Sequence, residues 1–384
     1  MACRDGTRTV STRVLDKLEP CSTRTVWPVM SDVLTRIEGG VGRLSLNRPK
    51  AIHALTLDMV HAMTDALQTW RGNDDVRAII IDHAAAPDGD PKSSRGFCAG
   101  GDIAFLRHSA LNDGGVSGRK FFHDEYRLNH LLFTYPKPVV AFMDGITMGG
   151  GVGIALPVKY RVATENTRLA MPETGIGLFP DVGGGWHLSR LEGRVGEFLA
   201  LTGARLDGAE CFALGLATHY LPAESLPKAK QRIGKEPDAI DEILGELSVT
   251  PPEARISGNL DRIDALFGPD RLEDIIAALE GQHDDWARKE LATLRTKSPQ
   301  TMKVALRQLA TSRTLDNFAD NMAMEYRIAS HVLTRPDFTE GVRVVIVDKD
   351  NAPKWDPATP EGVTGALLDA IFAPLPANEE WTPL

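Results

Sequence analysis

Pro138-Val139-Val140-Ala141-Phe142-Met143-Asp144 runs directly into Gly145-Ile146-Thr147-Met148-Gly149-Gly150-Gly151-Val152-Gly153. The first part is a short apolar run of the kind that forms a buried strand. The second is a glycine-rich turn that leads into helix. Upstream, Val76–Asp82 (VRAIIID) reads the same way and precedes a second glycine turn, Phe97-Cys98-Ala99-Gly100-Gly101-Asp102-Ile103. A helical stretch over Arg119–Phe133 separates the two units. Further out, Val33–Ile37 and Val41–Leu46 alternate apolar and polar residues across Gly39-Gly40, the pattern of a hairpin. Thr56 then stands before Leu57, Val60, Met63, Leu67 and Trp70, one apolar face of a helix that stops at Gly72. Repeated strand–turn–helix units give an α/β fold class whose turns carry the chemistry.

Beyond about residue 226 the strand signal fades. Asp238–Leu247, Leu260–Leu266, Arg271–Leu279, Trp286–Leu294 and Thr301–Leu309 read as amphipathic helices, punctuated by Pro251-Pro252 and Pro269. The expected organisation is therefore a poorly ordered arm over 1–29, a core over 30–225 and a helical lid or oligomerisation region over 226–384. Apolar faces such as Ile240, Ile243, Leu244 and Leu247 must be buried, and a lid over the site would bury them. The arm has scattered Arg4, Arg8, Arg13 and Arg24 but also Asp5, Asp16 and Glu19, and no apolar core of a secretory signal. A mitochondrial presequence and a start at Met30 both remain open for it.

The 384 residues are 42% hydrophobic and 25% charged, ordinary globular values that exclude disordered and fibrous classes. Forty-three basic against fifty-two acidic side chains give a net charge of −9 without a basic run, which argues against a nucleic-acid surface. No apolar stretch approaches the roughly 18 residues of a membrane span, so no membrane partner is expected. Cys3, Cys21, Cys98 and Cys211 form no C-x-x-C pair, so a reducing compartment is expected, with neither a disulfide framework nor a structural zinc.

A G-x-S-x-G elbow, an H-E-x-x-H helix and a P-loop are absent, and Gly149–Gly153 has Ile154 where a dinucleotide fingerprint needs its last glycine. What remains is two glycine turns and a set of acids. Turns of this kind leave N–H groups unpaired and convergent, and one N–H from each makes an oxyanion hole; the plainer reading is that the glycines only allow close packing. Glu173 and Asp181 lie in Leu169-Ala170-Met171-Pro172-Glu173-Thr174-Gly175-Ile176-Gly177-Leu178-Phe179-Pro180-Asp181-Val182-Gly183-Gly184-Gly185, a segment otherwise apolar or glycine-rich. Such surroundings raise a carboxyl pKa and suit it to proton transfer. The plainer alternatives are a helix-start acid after Pro172 and an N-cap at Asp181. Cys98 and His187 read as packing residues, and no His/Asp/Glu set has metal spacing.

Taken together, FCAGGDI, GITMGGGVGIAL and AMPETGIGLFPDVGG, with LNRPKAIHALTLDM upstream, resemble the crotonase (enoyl-CoA hydratase/isomerase) superfamily, from Val33 to Trp355. GITMGGGVG, the PETGIGLFPDVGGG run and KDNAPKW look like its 3-hydroxyisobutyryl-CoA hydrolase branch. The resemblance implies a spiral of ββα units with a C-terminal helical region, binding acyl-CoA. It assigns the oxyanion hole to the N–H groups of Gly101 and Gly150. It makes Glu173 the nucleophile or the base for water, and Asp181 the group that orients water or protonates the leaving thiolate. Substrate contacts are implied for Glu125, Gly101, Asp102, Ile103, Gly150, Glu173 and Asp181, with Glu125 recognising a β-hydroxyl or, alternatively, only pairing with a nearby Arg as a solvated helix acid. Hydratases that this chain resembles carry an additional glutamate three residues after the middle glycine, a position occupied here by Gly153. The expected activity is thus hydrolysis of 3-hydroxyisobutyryl-CoA in valine breakdown. A hydratase/isomerase and a non-catalytic structural protein of the same fold are the alternatives. Coenzyme A enters as part of the substrate, no cofactor or metal is implied, and a homo-oligomer is possible, the helical insert around Pro251–Gly281 favouring a smaller one than a trimer. The expected location is the cytoplasm, preferred and required if the host is bacterial, or the mitochondrial matrix if it is eukaryotic.

Overall fold

The central strands are nearly all apolar because both of their faces are covered. A computed structural model describes residues 31–84 and 96–384; the expected arm over 1–29 lies outside them. The strands are β1 (Val33–Glu38), β2 (Val41–Leu46), β3 (Ala78–His83), β4 (Gly96–Cys98), β5 (Val139–Met143), β6 (Ile146–Met148), β7 (Tyr160–Ala163), β8 (Arg168–Ala170), β9 (Leu206–Asp207) and β10 (His219–Tyr220). Two sheets form, ordered β1-β2-β3-β5-β7-β10 and β4-β6-β8-β9. The hairpin β1–β2 is antiparallel; β3, β5 and β7 then follow in parallel. Each of these is succeeded in the chain by a strand of the smaller sheet, where β4, β6 and β8 are again parallel neighbours. Two strands, one to each sheet, followed by helix make one turn of a spiral. This is the ββα arrangement expected.

The helices start where capping chemistry allows. Thr56 accepts the Met59 N–H at the head of Leu57–Arg71, and Asp102 accepts that of Phe105 at the head of Ile103–Asn112. On one face of the large sheet, Ile79, Ile81, Val139, Ala141 and Met143 join the main core with helices Leu57–Arg71 and Val116–Phe133. On the other face, Val41, Ala78, Ile80, Val140, Phe142 and Val162 form a separate cluster with Leu226, Ala229, Ile233, Ile240, Ile243 and Leu244. This revises the expectation of a lid. The helices Leu226–Lys235 and Ile240–Leu247 cover the far face of the sheet, because alternate side chains of the central strands point there and would otherwise meet water. Lys230 fastens the first of them, lying 2.8 Å from the fully buried Asp82, which also takes Arg43 at 2.6 Å.

A chain ending at Ser225 would lose both helices. Re-exposing Val41, Ile80, Val140, Phe142 and Val162 costs ~1.5–3 kcal/mol each, comparable to the ~5–15 kcal/mol net stability of a whole domain. We expect such a truncation to aggregate and to show no cooperative melting transition. A soluble truncation with a sharp transition would show that the core stands without its C-terminal third.

Among the described residues no helix is long and apolar enough to cross a membrane. Of the C-terminal third, only Val345 and Ile346, in the π-helical turn Arg343–Val347, line the cavity at the head of the glycine turns.

Candidate active site

Both glycine turns open into one cavity of about 420 Å³, lined by Gly100, Gly101, Asp102, Ile103, Gly149, Gly150, Glu125, Glu173, Asp181 and apolar side chains that include Phe121, Phe122 and Leu178. The turns meet because β4 and β6 are parallel neighbours, so the chain leaves both at the same sheet end. Leu55 stitches the first turn, donating to the Gly100 carbonyl at 2.8 Å and accepting from the Asp102 N–H at 2.9 Å. That leaves the Gly101 N–H between them without an acceptor among the described residues. The Gly150 N–H, at the first turn of helix Gly150–Ala155, is likewise free, as helix-start amides are. A Cβ built on Gly150 would lie 3.2 Å from the Gly101 nitrogen and 2.5 Å from Glu125 Oε1. The two amides are therefore adjacent, and a methyl group at 150 would crowd Glu125 Oε1 and the gap between them. Asp102 and Ile103 do line the cavity, but the Asp102 carboxylate is already engaged, capping its helix and pairing with Arg48 at 3.1 Å.

Three buried carboxyls share this cavity. Burial pushes Glu173 well above the ordinary carboxylate range, and the Asp181 charge pushes it further; its own backbone N–H and Lys297 oppose the shift. Burial lifts Asp181 to about 7, against the hydrogen bond from the Tyr126 hydroxyl at 2.8 Å. Glu125 is raised by burial and by Asp181. Glu125 Oε1 and Glu173 Oε2 have no hydrogen-bond partner. Buried polar atoms are normally paired, so two unpaired acceptors facing one cavity mark places that a ligand completes. Glu173 does open a short helix directly after Pro172, as its plain alternative had it, and is buried there as well. The other two plain alternatives fail: helix Gly184–Leu188 is headed by Gly183 and not by Asp181, and Glu125 is buried without an ion pair among the described residues.

Gly153 packs tightly: a Cβ there would meet Val182 Cβ at 2.6 Å and Asn129 Nδ2 at 2.9 Å. Asn129 in turn donates to the Gly153 carbonyl at 2.9 Å. A longer side chain at 153 has nowhere to go, so no second glutamate can approach from that turn. Cys98 is fully buried and its thiol is pushed up to about 12, which leaves it protonated and inert. Burial, with Arg161 and Arg190, pushes the His187 imidazole down to about 3, so it stays neutral.

Sequence reasoning missed Tyr126, Lys297, Gln308 and Glu325. Tyr126 and Glu325 had a legible signal, since each sits on the apolar stripe of an amphipathic helix, where a polar group must find a partner. Lys297 had none: it lies in a connection between helices, and only the fold brings its charge near Glu173.

The family model described as enoyl-CoA hydratase/isomerase matches residues 41–372. A Gallus gallus protein named 3-hydroxyisobutyryl-CoA hydrolase, mitochondrial, is 38% identical over 362 residues, which are 91% of this chain and 90% of that one. An Arabidopsis thaliana protein named probable 3-hydroxyisobutyryl-CoA hydrolase 3 is 36% identical, over 92% of this chain and 94% of its own. The crystal structure of a carnitinyl-CoA dehydratase from Mycobacterium thermoresistibile superposes with a TM-score of 0.85 at 41% identity, covering 91% of this chain and 98% of that one. With the ββα spiral, the paired amides and a family match spanning nearly all of the described residues, the chain belongs to the enoyl-CoA hydratase/isomerase family.

Proposed function

We propose that this protein hydrolyses the thioester of 3-hydroxyisobutyryl-CoA, releasing the free acid and coenzyme A. The observation that carries the reading is the placement of the acids. Glu173 and Asp181 line the same cavity as the paired amides, while the site from which a hydratase would bring its other glutamate is filled by Val182 and Asn129. The names of the Gallus gallus and Arabidopsis thaliana relatives support the same substrate.

The thioester carbonyl oxygen accepts hydrogen bonds from the Gly101 and Gly150 N–H groups, which favour the oxyanion that forms on attack. Glu173 delivers the attack in one of two ways. Its own carboxylate adds to the carbonyl carbon and expels the thiolate, leaving an anhydride that water then opens to the free acid and Glu173. Or it takes a proton from the water that attacks the carbonyl carbon and expels the thiolate. Asp181, lifted to about 7, is protonated in about half of the molecules at neutral pH, and in that form it can give its proton to the departing thiolate. Glu125 Oε1 takes the hydrogen bond of the substrate's 3-hydroxyl; an analogue without that hydroxyl leaves the buried oxygen unpaired and is penalised. In a bacterial host the reaction would run in the cytoplasm, the preferred location. A eukaryotic host would place it in the mitochondrial matrix, as the name of the Gallus gallus relative suggests for that protein. A homo-oligomer is consistent with this reading.

A thiol-detecting assay with 3-hydroxyisobutyryl-CoA should show release of free coenzyme A, with little addition of water to crotonyl-CoA. Hydration of crotonyl-CoA at a rate matching thiol release would overturn the hydrolase reading in favour of a dehydratase-like activity.

The pH profile gives an independent check. If ionised Glu173 carries the attack, kcat/KM rises with pH through a limb well above 4.5. The Asp181 charge raises Glu173 and Lys297 lowers it. Asp181→Asn should therefore move the limb of the residual activity to lower pH, and Lys297→Met should move it higher. A limb that stays in place in both variants would remove Glu173 as the titrating group.

A further inference from the structure

Val182, which directly follows Asp181, has φ of +51°. A β-branched residue adopts that left-handed conformation only when its surroundings impose it. The constraint comes from the two helices Pro299–Ser312 and Phe318–Val332, more than a hundred residues downstream. Glu325, fully buried, accepts the Gly183 N–H at 2.7 Å on one carboxylate oxygen and the Gly185 N–H at 2.9 Å on the other. The second oxygen also accepts from Asn321 Nδ2 at 2.8 Å and Gln308 Nε2 at 3.0 Å. The same Gln308 nitrogen donates to the Pro180 carbonyl at 2.7 Å. The clamp therefore grips the chain on both sides of Asp181, at residue 180 and at residues 183 and 185. Glu325 has no cationic partner among the described residues. Burial lifts Glu325 to about 8, against the hydrogen bonds from Gly183, Asn321 and Gly185, and four N–H donors converge on its two oxygens.

We propose that Glu325, seconded by Gln308, is a positioning residue for catalysis: it holds the left-handed turn at Val182 and thereby aims the Asp181 carboxyl into the acyl cavity. The inference rests on the catalytic reading of Asp181. From the opposite side, the Tyr126 hydroxyl fixes the carboxyl itself. With its backbone and its side chain held by different helices, Asp181 has little freedom left, which is what a proton donor to a specific atom requires.

A double-mutant cycle in the full-length enzyme separates positioning from mere support of the fold. Glu325→Gln offers one carbonyl oxygen where two carboxylate oxygens served, so one amide of the turn loses its acceptor. A displacement of about 1 Å at a reacting group costs roughly 100-fold, so kcat should fall by 10-fold to 100-fold (~10–100) with KM within about twofold. In the Asp181→Asn background the same change should leave kcat where Asp181→Asn alone puts it, because no carboxyl remains to aim. Should Glu325→Gln fail to fold, Gln308→Ala, which keeps both bonds from Glu325 to the amides, takes its place under the same criterion. An unchanged kcat with a lowered Tm, or a further loss of the same factor in the Asp181→Asn background, would overturn the positioning role. Near-normal kcat in Asp181→Asn alone would instead overturn the catalytic reading of Asp181 on which the proposal stands.

Discussion

Glu173→Gln should abolish thioester hydrolysis and at the same time make the protein more resistant to heat at pH 8. Gln preserves the shape of the side chain but neither attacks a carbonyl nor removes a proton. Positioned general bases contribute about 10²–10⁴-fold, and kcat should fall by at least that much while the Kd for the acyl-CoA changes only a few-fold. The gain in stability follows from burial. The folded pKa of Glu173 is raised well above 4.5, so the folded state holds its proton more tightly than the unfolded chain. Stability is then lost as pH rises above the unfolded value and through the folded one. Gln carries no such penalty. The Tm difference between variant and parent should therefore be positive at pH 8 and shrink towards pH 5. Near-normal kcat would reduce Glu173 to a structural acid, and a lower Tm in the variant at pH 8 would show that its charge supports the fold.

Gly150→Ala should be almost as damaging to turnover without harming the helix it heads. Ala is favoured over Gly inside helices by about 1 kcal/mol, and residue 150 does not have positive φ, so backbone strain is not the issue. Space is: the added Cβ would stand 2.5 Å from Glu125 Oε1 and 3.2 Å from both the Gly101 nitrogen and Leu55 Cδ1. The new methyl group intrudes on the gap in which the carbonyl oxygen must sit between the two amides. Removing one donor of an oxyanion hole costs about 10²–10³ in kcat, and a loss in that range is expected, with Tm within a few degrees of the parent. Retained turnover would mean that the oxyanion lies elsewhere in the cavity.

These two variants also show where the family's shared frame ends and this chain's chemistry begins. The paired amides of Gly101 and Gly150 are a device for any reaction that builds charge on a thioester oxygen. The choice between adding water to a double bond and cleaving the thioester is made by the acids placed around it. Val182 and Asn129 close the approach at Gly153, and the acid that shares the cavity with Glu173 comes from the segment at Asp181.

By itself, the sequence determined whatever depends on near neighbours. The hairpin of β1 and β2 was legible because alternation has a period of two, and Leu57–Arg71 because Thr56 and Gly72 bracket one apolar face. Glu173, Asp181 and both glycine turns stood out in short stretches whose composition is unusual, whereas Glu125 was singled out only through the family resemblance. The tertiary structure alone decided which of them meet and what holds them. Tyr126 and Asp181 are 55 residues apart, and Gln308 and Pro180 are 128 apart. Likewise, amphipathicity fixed that Ile240, Ile243 and Leu244 are buried, but not against what; only the assembled sheet shows its far face waiting for them. Periodicity records the direction a side chain takes from its own element, over a few residues. The group it reaches is set by the packing of elements distant in the chain, and no local pattern carries that.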